Sequence, residues 1–104
     1  MDISEIIKEL NSRIKAKSPD FKGSYLYGSR ARGDYREDSD VDIVLLFDKE
    51  LTRDEKMDIY DILCDLDYEY NLIFMGLPYT QKQLEKNQIF HNEVVNKGIY
   101  YNAA

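Results

Sequence analysis

The apolar residues near the start of the chain recur with the period of an α-helix. Five of them are spaced three or four positions apart and share one helical face: Ile3, Ile6, Ile7, Leu10 and Ile14. Asp2 and Glu5 have the spacing of a capping box, and Ser18-Pro19-Asp20 is typical of a helix end. The pattern therefore predicts a first helix that begins after Asp2 and ends near Ser18.

Three shorter segments have the pattern of β-strands. In Gly23–Tyr27, the residues Tyr25 and Tyr27 alternate around Leu26, which is typical of a short strand that leads into Gly28. Val41–Phe47 is apolar at every position except Asp42, so we expect a strand that is covered on both faces. A third strand is predicted near Tyr70–Met75, and we expect the breakers in Gly76–Pro78 to end it.

Two further capping boxes mark the starts of helices in the second half of the chain. Thr52 with Glu55 precedes an apolar stripe at helical spacing, which predicts a helix that runs to about Leu66. Thr80 with Gln83 has the same spacing and predicts a short helix. The two capping signals therefore predict one helix before and one helix after the third strand.

The end of the chain predicts one more helix and a tail. Apolar residues between positions 89 and 95 have helical spacing, and Gly98 stands where a helix C-terminus is commonly closed. Residues Ile99–Ala104 are expected to form a tail. The order α-β-β-α-β-α-α is typical of a single α/β (α+β mixed) domain over residues 1–104, with a small mixed sheet flanked by helices.

Composition narrows the class of protein and the kinds of partner. The 104 residues carry a net charge of −6 with a pI of about 4.7, which argues against direct binding of a nucleic-acid backbone. The single Cys64, expected to be a buried thiol, and the single His91 exclude an internal disulfide and a multi-histidine metal site. We find neither a membrane-spanning run nor a signal peptide, and we expect a cytoplasmic protein.

Three chemical features occur together between residues 28 and 42. Gly28-Ser29 directly follows a predicted strand, where a glycine allows close approach of a ligand to the backbone. Arg30 and Arg32 supply two guanidinium groups that suit phosphate oxygens. Asp40 and Asp42 lie two residues apart at the start of a strand and share one face, an arrangement that favours a bound Mg²⁺ ion. Each feature is commonplace alone, and their combination indicates a phosphate and metal site.

The spacing of these residues resembles the signature of a known family. Gly28-Ser29, ten intervening residues and Asp40-x-Asp42 are similar to the motif of the minimal nucleotidyltransferases of the DNA polymerase β superfamily. The resemblance implies the family's minimal core fold and the use of ATP with two Mg²⁺ ions held by the two aspartates. It also implies that Gly28 and Ser29 hold the β- and γ-phosphates, while Arg30 or Arg32 offsets developing charge.

The family's third metal-binding carboxylate has no clear counterpart. Active relatives carry an Asp or Glu on the third strand, just before an apolar run, and Asn71 stands nearest to that position here. Glu69 lies two residues earlier and would share the same strand face, so it is the candidate third ligand and catalytic carboxylate. If Asn71 marks a loss instead, its amide oxygen supports a metal but cannot act as a base.

The resemblance also suggests an acceptor and leaves alternatives open. Stand-alone chains of this size resemble the antitoxin halves of toxin–antitoxin pairs, which transfer AMP from ATP to a tyrosine of a helical HEPN-type partner. One alternative is a weakened nucleotide- and partner-binding module, which the nine tyrosines would suit. Another is a nucleotidyltransferase that acts on a small molecule. Self-association into a homo-oligomer is compatible with each of these hypotheses.

Overall fold

The computed structural model describes residues 2–34, 36 and 40–103. They form a four-stranded sheet of order β3-β2-β1-β4, with helices packed on its two faces. The mixed α/β architecture with a small sheet agrees with the predicted fold class. The elements in chain order are α1 (Ile3–Lys17), β1 (Phe21–Tyr27), α2 (Ser29–Arg32), β2 (Val41–Phe47), α3 (Arg53–Tyr70), β3 (Phe74–Thr80), α4 (Gln81–Glu85), α5 (Gln88–His91), a π-helix (Asn92–Asn96) and β4 (Ile99–Asn102).

Strand β2 lies inside the sheet and joins an antiparallel pair to a parallel pair. It runs antiparallel to β1, with Tyr27 opposite Asp42, and parallel to β3, with Asp42 opposite Met75. Helix α3 is the crossover that the parallel pair requires. Because paired residues project to the same side of a sheet, Asp42 has Tyr27 on one flank and Met75 on the other.

The two faces of the sheet are covered unequally. Helices α1 and α3 pack on one side, called the core face here, which carries four residues of β2: Val41, Ile43, Leu45 and Phe47. The opposite side, called the Asp42 face, has a smaller cluster at its far end: Val44, Leu46, Leu84 and Val94. This cluster joins β2 to α4 and the π-helix, and Asp42 lies at the other end of the same face.

The predicted bounds of the third strand are wrong. Helix α3 continues to Tyr70, and Asn71 closes it in the left-handed conformation, with φ of 53°. Asparagine tolerates this conformation better than most residues do. The turn delays the strand, so β3 covers Phe74–Thr80 rather than Tyr70–Met75.

Gly76 and Pro78 lie inside β3 and do not end it. The N–H of Val41 donates to the Ile73 carbonyl (2.8 Å), and this register turns the backbone nitrogen of Pro78 away from β2. A proline is tolerated there because no ladder hydrogen bond is lost at the edge of a sheet. A Cβ on Gly76 would lie 2.8 Å from Cδ1 of Leu63, so the glycine lets α3 approach β3 closely.

The segment that was predicted to be a tail contains the fourth strand. Strand β4 pairs antiparallel with β1 and places Tyr100 opposite Tyr25, with ring centroids 4.6 Å apart. A four-residue strand that follows a glycine has too short an alternation to be recognised from the sequence. The pairing of β4 with β1 therefore extends the sheet beyond the three predicted strands.

The helices agree with the sequence pattern at their starts more than at their ends. The capping boxes at Thr52 with Glu55 and at Thr80 with Gln83 are confirmed. Asp2 caps α1 as predicted, but its carboxylate accepts from the N–H of Ser4, so the predicted capping box with Glu5 is wrong. The predicted last helix is instead the short α5 followed by the π-helix.

Cys64 is exposed on α3, so the expectation of a buried thiol is wrong. Among the described residues, no helix has both the length and the apolar character that a membrane crossing requires.

Candidate active site

A glycine turn connects β1 to α2 and packs against a carboxylate. Gly28 has φ of 74°, a conformation that strongly favours glycine, and its carbonyl accepts the N–H groups of Ala31 and Arg32. A Cβ at Gly28 would lie 2.5 Å from Oδ2 of Asp42. The backbone of the turn and the carboxylate of Asp42 are therefore in direct contact, with Ser29 as the next residue along the turn.

Asp40 and Asp42 form a pair of carboxylates with an unfavourable electrostatic interaction. Asp42 is half-buried at the start of β2, while Asp40 is exposed just before the strand. Burial raises the pKa of Asp42 above its ordinary value, the negative charge of Asp40 raises it further, and Arg32 opposes both. A bound cation would offset the repulsion between the two carboxylates. Carboxylate oxygens are also the ligands that divalent metal ions such as Mg²⁺ prefer, so the pair is suited to a metal site.

Arg32 extends from α2 towards the end of the chain. Its Nη1 donates to Oε1 of Glu93 on the π-helix (3.1 Å), and its Nε donates to Oδ2 of Asp34 (3.4 Å). Its positive charge also acts on Asp42. Arg32 is therefore held between two carboxylates beside the candidate site, and Arg30 is half-buried on the same short helix. No local pattern points to Glu93 as a partner of Arg32, because 61 residues separate the two.

Like Glu93, Tyr27 lies beside the candidate site and is not identified by the sequence motif. It directly precedes Gly28 and projects to the same face as Asp42. Burial raises the pKa of the Tyr27 hydroxyl above its ordinary value, and the charges of Asp42 and Tyr79 add to the shift. Its ring meets Phe90 edge to face, with centroids 5.5 Å apart. The alternation in β1 identified Tyr27 as a strand residue but not as a neighbour of the carboxylates.

Glu69 does not lie on the third strand, and this part of the prediction is wrong. It belongs to α3, and its two carboxylate oxygens accept from Arg13 of α1 at 2.9 and 3.2 Å. Helices α1 and α3 both pack on the core face, whereas Asp42 projects to the opposite face. The alternative residue, Asn71, is the left-handed cap of α3. Neither residue is on β3, since the helix extends farther than its apolar stripe predicts.

The edge strand places apolar residues beside the carboxylate pair. Met75 is the β3 residue opposite Asp42, and β3 itself contains no acidic residue. Within residues 2–34, 36 and 40–103, no group of three or more His, Cys, Asp or Glu side chains has the arrangement of a metal site. In the described part of the site, Asp40 and Asp42 are therefore a candidate pair of metal-binding carboxylates, next to the Gly28 turn.

Comparisons with known proteins place this geometry in a family. Residues 5–99 match the family model described as "Polymerase beta, Nucleotidyltransferase". The chain is 36% identical over 100 residues to MJ0141 of Methanocaldococcus jannaschii, whose name assigns it as a protein adenylyltransferase. That alignment covers 95% of this chain and 98% of the relative.

Two solved structures have a similar fold. A nucleotidyltransferase from Sulfolobus solfataricus superposes with a TM-score of 0.60 at 21% identity, covering 93% of this chain and 77% of that chain. A chain of a toxin–antitoxin structure with AMP-PNP superposes with a TM-score of 0.62 at 17% identity, covering 93% of this chain and 72% of that chain. These likenesses concern the fold, and the family follows from the sequence matches. The chain therefore belongs to the nucleotidyltransferase family of polymerase beta.

Proposed function

We propose that this protein transfers AMP from ATP to a hydroxyl group of a partner protein, most specifically a tyrosine of a HEPN-type toxin. The observation that carries the proposal is the interacting pair Asp40 and Asp42, with Asp42 in contact with the Gly28 turn. The name of the relative MJ0141 and the toxin–antitoxin structure with AMP-PNP support the choice of donor and acceptor. In this proposal the protein is the antitoxin of the pair.

The carboxylate pair is suited to a Mg²⁺ ion. Asp42 is partly desolvated and its charge is disfavoured beside Asp40, so a divalent cation restores the charge balance. We propose that Asp40 and Asp42 hold the metal, and that Glu69 is a structural partner of Arg13 instead. When bound, Mg²⁺ supplies charge stabilisation for the α-phosphate and for the leaving pyrophosphate.

The Gly28 turn and α2 are the proposed contacts of the triphosphate. Gly28 precedes α2 and lies directly beside Asp42, and the Ser29 hydroxyl that follows it is a donor for phosphate oxygens. Arg30 and Arg32 provide positive charge on the same helix. In the reaction the acceptor oxygen attacks the α-phosphorus, the bond to the β-phosphate oxygen breaks, and pyrophosphate leaves. The hydroxyl proton is lost to a base or to water.

A second candidate function is a binding module with a weakened active site. The specific observation in its favour is β3, where Met75 rather than a carboxylate stands opposite Asp42. Such a module would bind the nucleotide and neutralise its partner by contact, without turnover. The two functions differ in whether labelled AMP becomes covalently attached to the partner.

The test is incubation of the purified chain with α-labelled ATP, Mg²⁺ and an extract of the source cells. We expect a labelled protein band with the wild type and its loss with the double substitution Asp40→Asn and Asp42→Asn. A matched control, Asp61→Asn with Asp65→Asn, removes two exposed carboxylates from α3 and should leave the label unchanged.

Each other outcome assigns a different function. Label on a small molecule would favour a small-molecule acceptor and contradict the proposal. ATP binding with no label on any acceptor would favour the binding module. Label that persists in the Asp40 and Asp42 variant would show that this carboxylate pair is not the catalytic site.

A further inference from the structure

Two large apolar side chains of β3 project into solvent on the Asp42 face, and a third is exposed directly before the strand. Ile73, Met75 and Leu77 are 55%, 51% and 43% exposed, and together they are called the β3 strip here. Alternate positions of a strand point to one side, so the strip extends over roughly 13 Å. Exposed apolar side chains that lie next to each other mark docking sites more often than scattered ones do.

The strip is continuous with the catalytic carboxylates. Met75 is opposite Asp42 in the parallel ladder and Leu77 is opposite Val44, so the strip begins at the carboxylate and runs along its neighbouring strand. The other flank of Asp42 is occupied by the Gly28 turn and by α2, the proposed contacts of the triphosphate. An acceptor that must reach the α-phosphate therefore approaches from the flank that the β3 strip forms.

The backbone edge of β3 is largely closed to another strand. The outward N–H of Phe74 donates to Oδ1 of Asp67 (2.8 Å), and the N–H of Thr80 donates to Oε1 of Gln83 (2.9 Å). Pro78, between them, has no N–H at all. An added strand would find few free donors at this edge, so the side chains of the strip are the binding surface.

We propose that the β3 strip docks an apolar surface of the acceptor protein, which surrounds the hydroxyl group that receives AMP. This inference rests on the proposed function, because it names the surface by which that acceptor is recognised. A polar small molecule would leave the three side chains of the strip in water. A protein surface with uncharged, apolar residues around a tyrosine buries them and positions the hydroxyl beside Asp40 and Asp42.

The test uses the acceptor protein that the labelling experiment identifies and measures steady-state AMP transfer. The variant is Met75→Gln with Leu77→Gln, which removes apolar surface without adding charge near the carboxylates. We expect the KM for the acceptor to rise about tenfold, while kcat at saturating acceptor and the affinity for Mg²⁺-ATP stay unchanged. The control Met57→Gln changes an equally exposed methionine (54%) near the start of α3 and should have no effect.

Failure of the proposed function and failure of the docking inference give different results in this experiment. If the wild type labels no protein, the proposed function fails and the docking inference falls with it. If the double variant transfers AMP with an unchanged KM for the acceptor, the docking inference is wrong and the proposed function stands. A change in ATP affinity instead would assign the strip to the nucleotide site. Loss of a wild-type dimer in sedimentation would assign it to self-association, and either result overturns the inference.

Discussion

At the scale of individual residues, Gly28 and Asp42 constrain each other. The carboxylate occupies the space that any larger residue at position 28 would need, and the turn holds φ at 74°. Local spacing was sufficient to identify both residues, because a glycine after a strand and two aspartates on one strand face have recognisable patterns. The contact between Gly28 and Asp42 could not be inferred from spacing, because it depends on the register of β1 against β2.

We predict that Gly28→Ala lowers AMP transfer at least tenfold. The new Cβ would collide with Oδ2 of Asp42 and displace the carboxylate, and the backbone strain would reduce stability by about 1–2 kcal/mol. Gly33→Ala is the matched control, because Gly33 has φ of 83° and, among the described residues other than its chain neighbours, no atom lies within 4 Å of an added Cβ. Equal losses of activity in both variants, measured at equal folded fraction, would show that strain alone is responsible.

The ionisation of Asp42 predicts how stability depends on pH when no metal is bound. Its pKa is raised in the folded protein, so between the ordinary value of 3.8 and the raised value the folded state binds more protons than the unfolded state. The contribution of Asp42 to stability is therefore greatest at low pH and falls as pH rises through this window. The carboxylate is then charged and unfavourably placed at neutral pH.

Asp42→Asn should therefore stabilise the metal-free protein at pH 7. The expected gain is on the order of 0.5 kcal/mol, because solvent screens much of the repulsion from Asp40. Urea unfolding in EDTA at pH 7 measures the gain, and Asp61→Asn on α3 is the control. Addition of Mg²⁺ should stabilise the wild type and not Asp42→Asn. An Asp42→Asn variant less stable than the wild type in EDTA would contradict this account of the site.

At the scale of elements, the ion pair between Arg32 and Glu93 joins α2 to the π-helix. The two elements are far apart in sequence and lie together because β1 and the π-helix share the cluster on the Asp42 face. The side chain of Arg32 is about half exposed, so the pair contributes little to stability. Its consequence is electrostatic, since Glu93 would compete with the triphosphate, bound as proposed, for the same guanidinium group.

We predict that Glu93→Gln lowers the KM for ATP two- to fivefold. The substitution removes a negative charge beside the proposed phosphate site and releases Arg32 from its partner on the π-helix. The change in unfolding free energy should be below about 0.5 kcal/mol. Glu85→Gln, on the neighbouring α4, is the control. A higher KM for ATP in Glu93→Gln would mean that the glutamate positions Arg32 for the nucleotide and does not compete with it.

At the scale of the whole molecule, the sequence predicted the elements whose signals are local. The apolar period of α1, the run in β2 and the capping boxes of α3 and α4 are confirmed. The misplacement of Glu69 arose at a boundary, because one left-handed residue, Asn71, decides where α3 ends. Strand β4 was missed because it is defined by pairing with β1, about 75 residues earlier, and not by its own composition.

A buried polar network attaches β4 to the rest of the molecule. Asn11 of α1 and Ser24 of β1 are almost fully buried, and the hydroxyl of Ser24 donates to Oδ1 of Asn11. The side-chain amide of Asn11 then donates to the carbonyl of Tyr101 in β4 (2.9 Å). The side chain of Asn11 thus accepts from Ser24 in the inner strand β1 and donates to Tyr101 in the edge strand β4.

Asn11→Leu should consequently destabilise the protein by about 2 kcal/mol, since it removes the acceptor of the buried Ser24 hydroxyl and the side-chain hydrogen bond to the Tyr101 carbonyl. Urea unfolding measures the loss, and amide hydrogen exchange should show that β4 opens before the other strands. Ser12→Leu places the same side chain at the adjacent exposed position of α1 and should change stability by less than about 0.5 kcal/mol. Uniform loss of protection over all four strands would contradict a local role of Asn11 in docking β4.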